Sequence, residues 1–160
     1  MSMPGIERVI TEVLAVLQSG MSGKLTTLAD EYADGKTGAV PDADAFHLYL
    51  PRPLPSCPAV IVRAMPENHE PPNVGGEYEG RFQIQIDVIT RAEDIPASDV
   101  HLWRYWRAIK ELLCAANALD CGDCVVQTVD HNQPAITDPE SGDELRDVPG
   151  LFIVTTYETA

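Results

Sequence analysis

Two hydrophobic periods follow one another between Arg81 and Leu113, and few architectures satisfy both. In Phe82-Gln83-Ile84-Gln85-Ile86-Asp87-Val88, apolar and polar side chains alternate. A period of two predicts a strand with one buried face and one wet face, the latter carrying Gln83, Gln85 and Asp87. After a break at Arg91 to Ala97, the period changes. Leu102, Trp103, Trp106, Ile109 and Leu113 recur at helical spacing from Val100 to about Ala116, while Arg104, Arg107, Lys110 and Glu111 reach water. Ser98 or Asp99 is placed to cap this helix by accepting from a free backbone N–H. The tryptophans then pack on the strand, or one of the two rings faces a partner subunit, where aromatic residues are enriched.

The flanking segments extend this unit. Pro4 to Gln18 forms a helix with Ile6, Val9, Ile10, Val13, Leu14 and Leu17 on one face, and Ser19-Gly20 ends it. A weaker repeat, Leu25, Leu28, Ala29 and Tyr32, predicts a separate short helix from Lys24 to Tyr32. Phe46 to Leu50 and Ala59 to Ala64 read as strands, separated by a run with Pro51, Pro53, Pro55 and Pro58 that forbids ladder pairing. Cys124 to Asp130 and Leu151 to Tyr157 read as a strand pair, antiparallel across an acidic loop at 138–147. The other irregular stretch, about 65–80, carries Glu67, Glu70, Glu77 and Glu79 and exceeds ordinary connection lengths, which predicts a mobile functional loop. This order gives an α+β fold over 1–160. It is a largely antiparallel sheet with helices on one face, in a single domain.

Charge narrows the function. There are 25 acidic residues against 11 basic ones, a formal net charge of −14. Such a surface repels phosphates and anionic lipid unless a basic patch intervenes. The densest basic group, Arg104, Arg107 and Lys110, reads as a solvated helix face. No stretch reaches the roughly 20 apolar residues needed to span a bilayer. The N-terminus lacks the basic start and apolar core of a signal peptide, so the four cysteines are expected as thiols in a reducing compartment.

Chemical motifs are sparse. Cys121-Gly122-Asp123-Cys124 has redox spacing, but it follows a helix and enters a strand, whereas a reactive thiolate belongs at a helix N-terminus. A zinc site needs four ligands, and beyond Cys114, His101 or His131 no second pair offers them. Structural thiols are the plainer reading. None of His47, His69, His101 and His131 sits with a nucleophile motif. Asp138 to Glu144 resembles a cation-binding loop in composition alone, without EF-hand spacing. Neither a catalytic residue, nor a metal ligand set, nor a cofactor site is assigned.

The helix at Pro4 to Gln18, the alternating strand Phe82 to Val88, the helix Leu102 to Leu113 and the closing strand Leu151 to Tyr157 together resemble the tail terminator (tail completion) proteins of long-tailed phages. The resemblance covers most of the chain in order of elements. It implies a structural, non-enzymatic virion protein assembled in the host cytoplasm. Its copies would form a hexameric ring at the neck that caps the tail tube, stops tube growth and presents a surface for head attachment. The implied partners are other copies of the chain, the major tail tube protein and a head–tail connector. DNA passes through the lumen without specific binding, and no membrane or cofactor is involved. Expected assembly contacts are Glu67, Glu70, Glu77, Glu79, Gln83, Gln85, Asp87, Asp138, Glu140 and Asp143. The alternatives are another neck or head-closure connector, a small metal or redox protein built on Cys121 and Cys124, and a module that recruits an edge strand by β-augmentation, which the polar outer face of Gln83, Gln85 and Asp87 permits.

Overall fold

A computed structural model describes residues 5–33, 45–48, 57–65, 79–91, 95–131, 136–139, 142 and 144–157. Helix α1 runs over Ile6–Tyr32, strand β1 over Phe46–His47, β2 over Ala59–Ala64 and β3 over Glu79–Arg91. Helix α2 follows at Ile95–Leu113, then β4 at Gly122–Val129, β5 at Ile136–Thr137 and β6 at Glu144–Tyr157. The sheet order is β1-β2-β3-β6-β4, with β5 pairing β6. Among the described residues, only the β1–β2 pair is parallel. The fold is α+β and largely antiparallel, as the sequence predicts.

Both helices cover one face of the sheet. Val60 and Val62 of β2, Ile84, Ile86 and Val88 of β3, and Phe152 and Val154 of β6 share a core with Val9, Val13, Leu17, Leu102, Trp106 and Ile109 of the helices. The period of two in β3 aims Ile84, Ile86 and Val88 inward. The opposite face holds a small second cluster of Ile61, Ile89 and Leu145, with Cys57 against it.

Four differences from the sequence reading have physical causes. First, α1 is one helix of 27 residues with no break at Ser19-Gly20. Its buried stripe, Val9, Val13, Leu17, Met21, Leu25 and Leu28, continues through Gly20 and Gly23. Each glycine costs about 1 kcal/mol in a helix interior, whereas each fully buried Leu or Met contributes about 1.5–3 kcal/mol. Burial therefore wins. Gly20 also sits where a Cβ would lie 2.7 Å from Leu112 Cδ2, so its bareness lets α2 approach α1.

Second, α2 begins at Ile95 and ends at Leu113, so Ser98 and Asp99 lie inside the helix and not at its N-cap position. Pro96 suits the first turn, where the missing N–H has no intrahelical partner to lose. Third, β6 is 14 residues long and starts at Glu144, inside the stretch read as an acidic loop. Pro149-Gly150 mimics a turn, but it is built into the strand opposite Asp87 and Ile86 of β3.

Fourth, β3 is not a sheet edge. It pairs β2 on one side along Ala59–Ala64 and β6 on the other over its whole length. A partner strand therefore has no place beside Gln83, Gln85 and Asp87. The edges of this order are β1 and β4, and among the described residues β1 pairs with β2 alone and β4 with β6 alone.

Candidate assembly surface

The expected contact residues fall into three groups. Glu67, Glu70, Glu77, Glu140 and Asp143 lie outside the described residues. Glu79 opens β3 opposite Tyr157. Asp138 lies at the turn between β5 and β6, where its carbonyl accepts from the Gly142 N–H at 2.8 Å. Gly142 takes the left-handed conformation there, φ 75°.

Gln83, Gln85 and Asp87 do share the face of β3 away from the helices, but that face is not uniformly wet. Gln83 Nε2 donates to Gln127 Oε1 of β4 at 3.0 Å, linking strands across β6. Gln85 Nε2 donates to Asp87 Oδ1 at 3.0 Å, and Arg63 Nε donates to Asp87 Oδ2 at 2.9 Å. Asp87, expected in water, is fully buried. A carboxylate tolerates that only when paired and hydrogen-bonded, and the guanidinium from β2 supplies both.

The basic group on α2 is likewise less solvated than its spacing implies. Arg104 is buried, its guanidinium carbon 4.6 Å from the centre of the Tyr32 ring. Arg107 donates to Tyr32 Oη at 2.8 Å, to Glu31 at 3.2 Å and to Glu111 at 3.2 Å, fastening the C-terminal end of α1 to the body of α2. These cations are spent inside the subunit.

The cysteine motif is shut away from solvent. Cys121 and Cys124 are buried free thiols. Burial, then the adjacent Glu12 carboxylate, pushes the Cys121 thiol up to about 12. Burial, then neighbouring Cys114, pushes Cys124 up as well. Glu12 Oε2 accepts from the Cys121 backbone N–H at 3.0 Å and so ties the turn before β4 to α1. Burial opposes ionisation of Glu12, but the bonds from Cys121 and Arg8 outweigh it and hold its carboxyl below the usual range. Among the described residues, no three His, Cys, Asp or Glu side chains are grouped to hold a metal ion. Thiols raised in this way carry little thiolate for nucleophilic chemistry at neutral pH.

Part of the remaining exposed surface is apolar. Trp106 is buried and stacks on Phe152, ring centroids 5.9 Å apart, whereas Trp103 is 56% exposed. On β4, Val125 is 56% and Val126 39% exposed. Helical spacing distinguishes neither tryptophan, since both lie on the apolar side of the pattern. The β4 valines gave no sequence signal, because nothing local marks a strand as an edge.

No protein-family model matches this chain. No curated protein matches it. Among solved structures, it is similar to a chain of the "Virion of native gene transfer agent (GTA) particle", with a TM-score of 0.45 and 16% sequence identity, covering 89% of this chain and 95% of that one. Among the described residues, no helix is long and apolar enough to cross a membrane.

Proposed function

We propose that this chain is a structural protein of a tailed-phage particle, a tail terminator whose copies form a hexameric ring on the end of the tail tube. The ring stops tube growth, offers its far side to a head–tail connector and lets DNA pass through its lumen. The observation that carries this reading is where the exposed and buried groups lie. The Cys121–Cys124 pair is buried and the α2 arginines are paired internally, while Trp103 on α2 and Val125 on the β4 edge face solvent. A subunit with that motif shut away and large apolar groups on its surface is built for contact with other chains.

Two further features support it. The order helix, long strand, helix, closing strand pair is the one on which the sequence resemblance rests. The net charge of −14 suits a channel that DNA must cross without sticking, since each exposed Lys or Arg would hold a phosphate. The same features suit another neck connector, so the test must locate the protein. Antibodies to the purified protein, applied to intact particles that carry it, should label the head–tail junction in electron micrographs. Label elsewhere, or none on particles shown to admit antibody, overturns the assignment.

A further inference from the structure

The face of the sheet away from the helices holds two carboxyl groups and one guanidinium in a small buried cluster. Arg63 comes from β2, Asp87 from β3 and Asp147 from β6. Asp87 is fully buried, and both its oxygens are taken: Oδ2 accepts from Arg63 through Nε, at 2.9 Å, and through Nη2. Its Oδ1 accepts from Gln85 at 3.0 Å. Asp147 stands opposite Ile89, a diagonal neighbour of Asp87 on the same face, and lies within hydrogen-bonding reach of it. Asp147 Oδ1 is buried with no hydrogen-bond partner among the described residues. Arg63 is already committed to Asp87. A second carboxyl can join only by bringing a proton of its own, because two bare carboxylates at this spacing repel.

We propose that Arg63, Asp87 and Asp147 form a proton-dependent latch across β2, β3 and β6. A proton on Asp147 closes it, and loss of that proton loosens the start of β6 and the β5–β6 hairpin. The inference stands apart from the assembly role, since it concerns groups inside one subunit.

The electrostatics agree in direction. Burial first, then the negative charge of Asp87, pushes Asp147 from 3.8 up to about 7, against the opposing pull of Arg63. No other charged group acts on it among the described residues. Arg91 and Asp138, toward the hairpin end, act on Cys57 instead. Because the folded chain holds this proton and the unfolded chain does not, folding takes up a proton between the two values. The latch therefore adds stability at acidic pH and loses it as pH rises through about 7. Asp147 is only partly buried, so solvent screens some of the effect. With a midpoint near 7, protection falls by at most about tenfold between pH 6 and pH 8, and screening makes the fall smaller.

Hydrogen exchange of the wild-type amides from Leu145 to Val148 tests this at pH 6 and pH 8, after correction for the intrinsic pH dependence of exchange. Protection should fall at pH 8, whereas Asp147→Asn, a neutral mimic of the protonated acid, should hold equal protection at both. Equal wild-type protection at the two pH values overturns the latch, as does the same fall in Asp147→Asn. Should that variant fail to fold, the carboxyl carbon of Asp147 can be titrated by NMR in the wild type. A midpoint near 7 supports the latch, and one in the ordinary carboxylate range near about 4 overturns it.

Discussion

Trp106 lies across Gly150 so closely that a Cβ on the glycine would fall 2.3 Å from the ring's Cη2. The glycine is in mid-strand, paired with Ile86 on one side and Val129 on the other, so it cannot move aside without disturbing two ladders. The ring cannot move either, because it also stacks on Phe152. Gly150→Ala should therefore destabilise the fold by about 1–3 kcal/mol through overpacking, read as a lower urea midpoint with an unchanged slope. A variant as stable as wild type would show that the α2–sheet contact is looser than this.

The thiols make a second prediction. Iodoacetamide at pH 8 should modify exposed Cys114 long before Cys121 or Cys124. With Cys121 pushed up to about 12, its thiolate fraction at pH 8 is about one in ten thousand, and burial blocks access as well. Peptide mapping of the first adduct decides the matter. Early modification of Cys121 would reopen the redox reading.

How much of this was legible beforehand depended on whether local pattern and tertiary packing agreed. The strand Ala59–Ala64 and the inward face of β3 follow from β-branched composition and the period of two, and both agree with the burial found. The errors lie where tertiary contacts override local signals. Gly20 reads as a helix stop, but Leu112 occupies the space it leaves. Residues 144–147 read as part of an acidic loop, but Leu145, Arg146 and Asp147 pair with β3. Asp87 and Arg104 read as solvent-facing because charge is hydrophilic in isolation. Their partners, Arg63 and Tyr32, are distant in sequence, where no periodicity can point to them. The exposed surface was the least legible part. Which of two tryptophans faces water is set by how α1 and β6 flank α2, not by α2 itself.

Removing the guanidinium from the buried carboxylate should be costly. Arg63→Met keeps the aliphatic stem but strands Asp87, whose burial is complete. Breaking one side of a buried ion pair costs about 3 kcal/mol, and the partial exposure of Arg63 places the expected loss at or below that figure. Combining it with Asp87→Asn should recover part of the loss, because the stranded charge is gone. Additive losses in a denaturant double-mutant cycle would show that the two side chains do not act as a pair.

Trp103 and Trp106 sit one helical turn apart and should behave in opposite ways. Trp106→Ala empties a filled site beneath α2 and should cost about 3–5 kcal/mol of stability. Trp103→Ala removes a ring that is 56% exposed, so the isolated subunit should change by no more than about 0.5 kcal/mol. If Trp103 is an anchor in the assembled ring, its loss should instead weaken assembly by about 2 kcal/mol or more per contact, roughly thirtyfold. The readout is the ability of purified protein to restore head–tail joining to particles lacking it, with unfolding curves measured in parallel. A Trp103→Ala protein that is stable but fails to join would place this face of α2 in an interface. One that is stable and joins normally would remove Trp103 from the assembly surface and leave the β4 edge, with Val125 and Val126, to carry it.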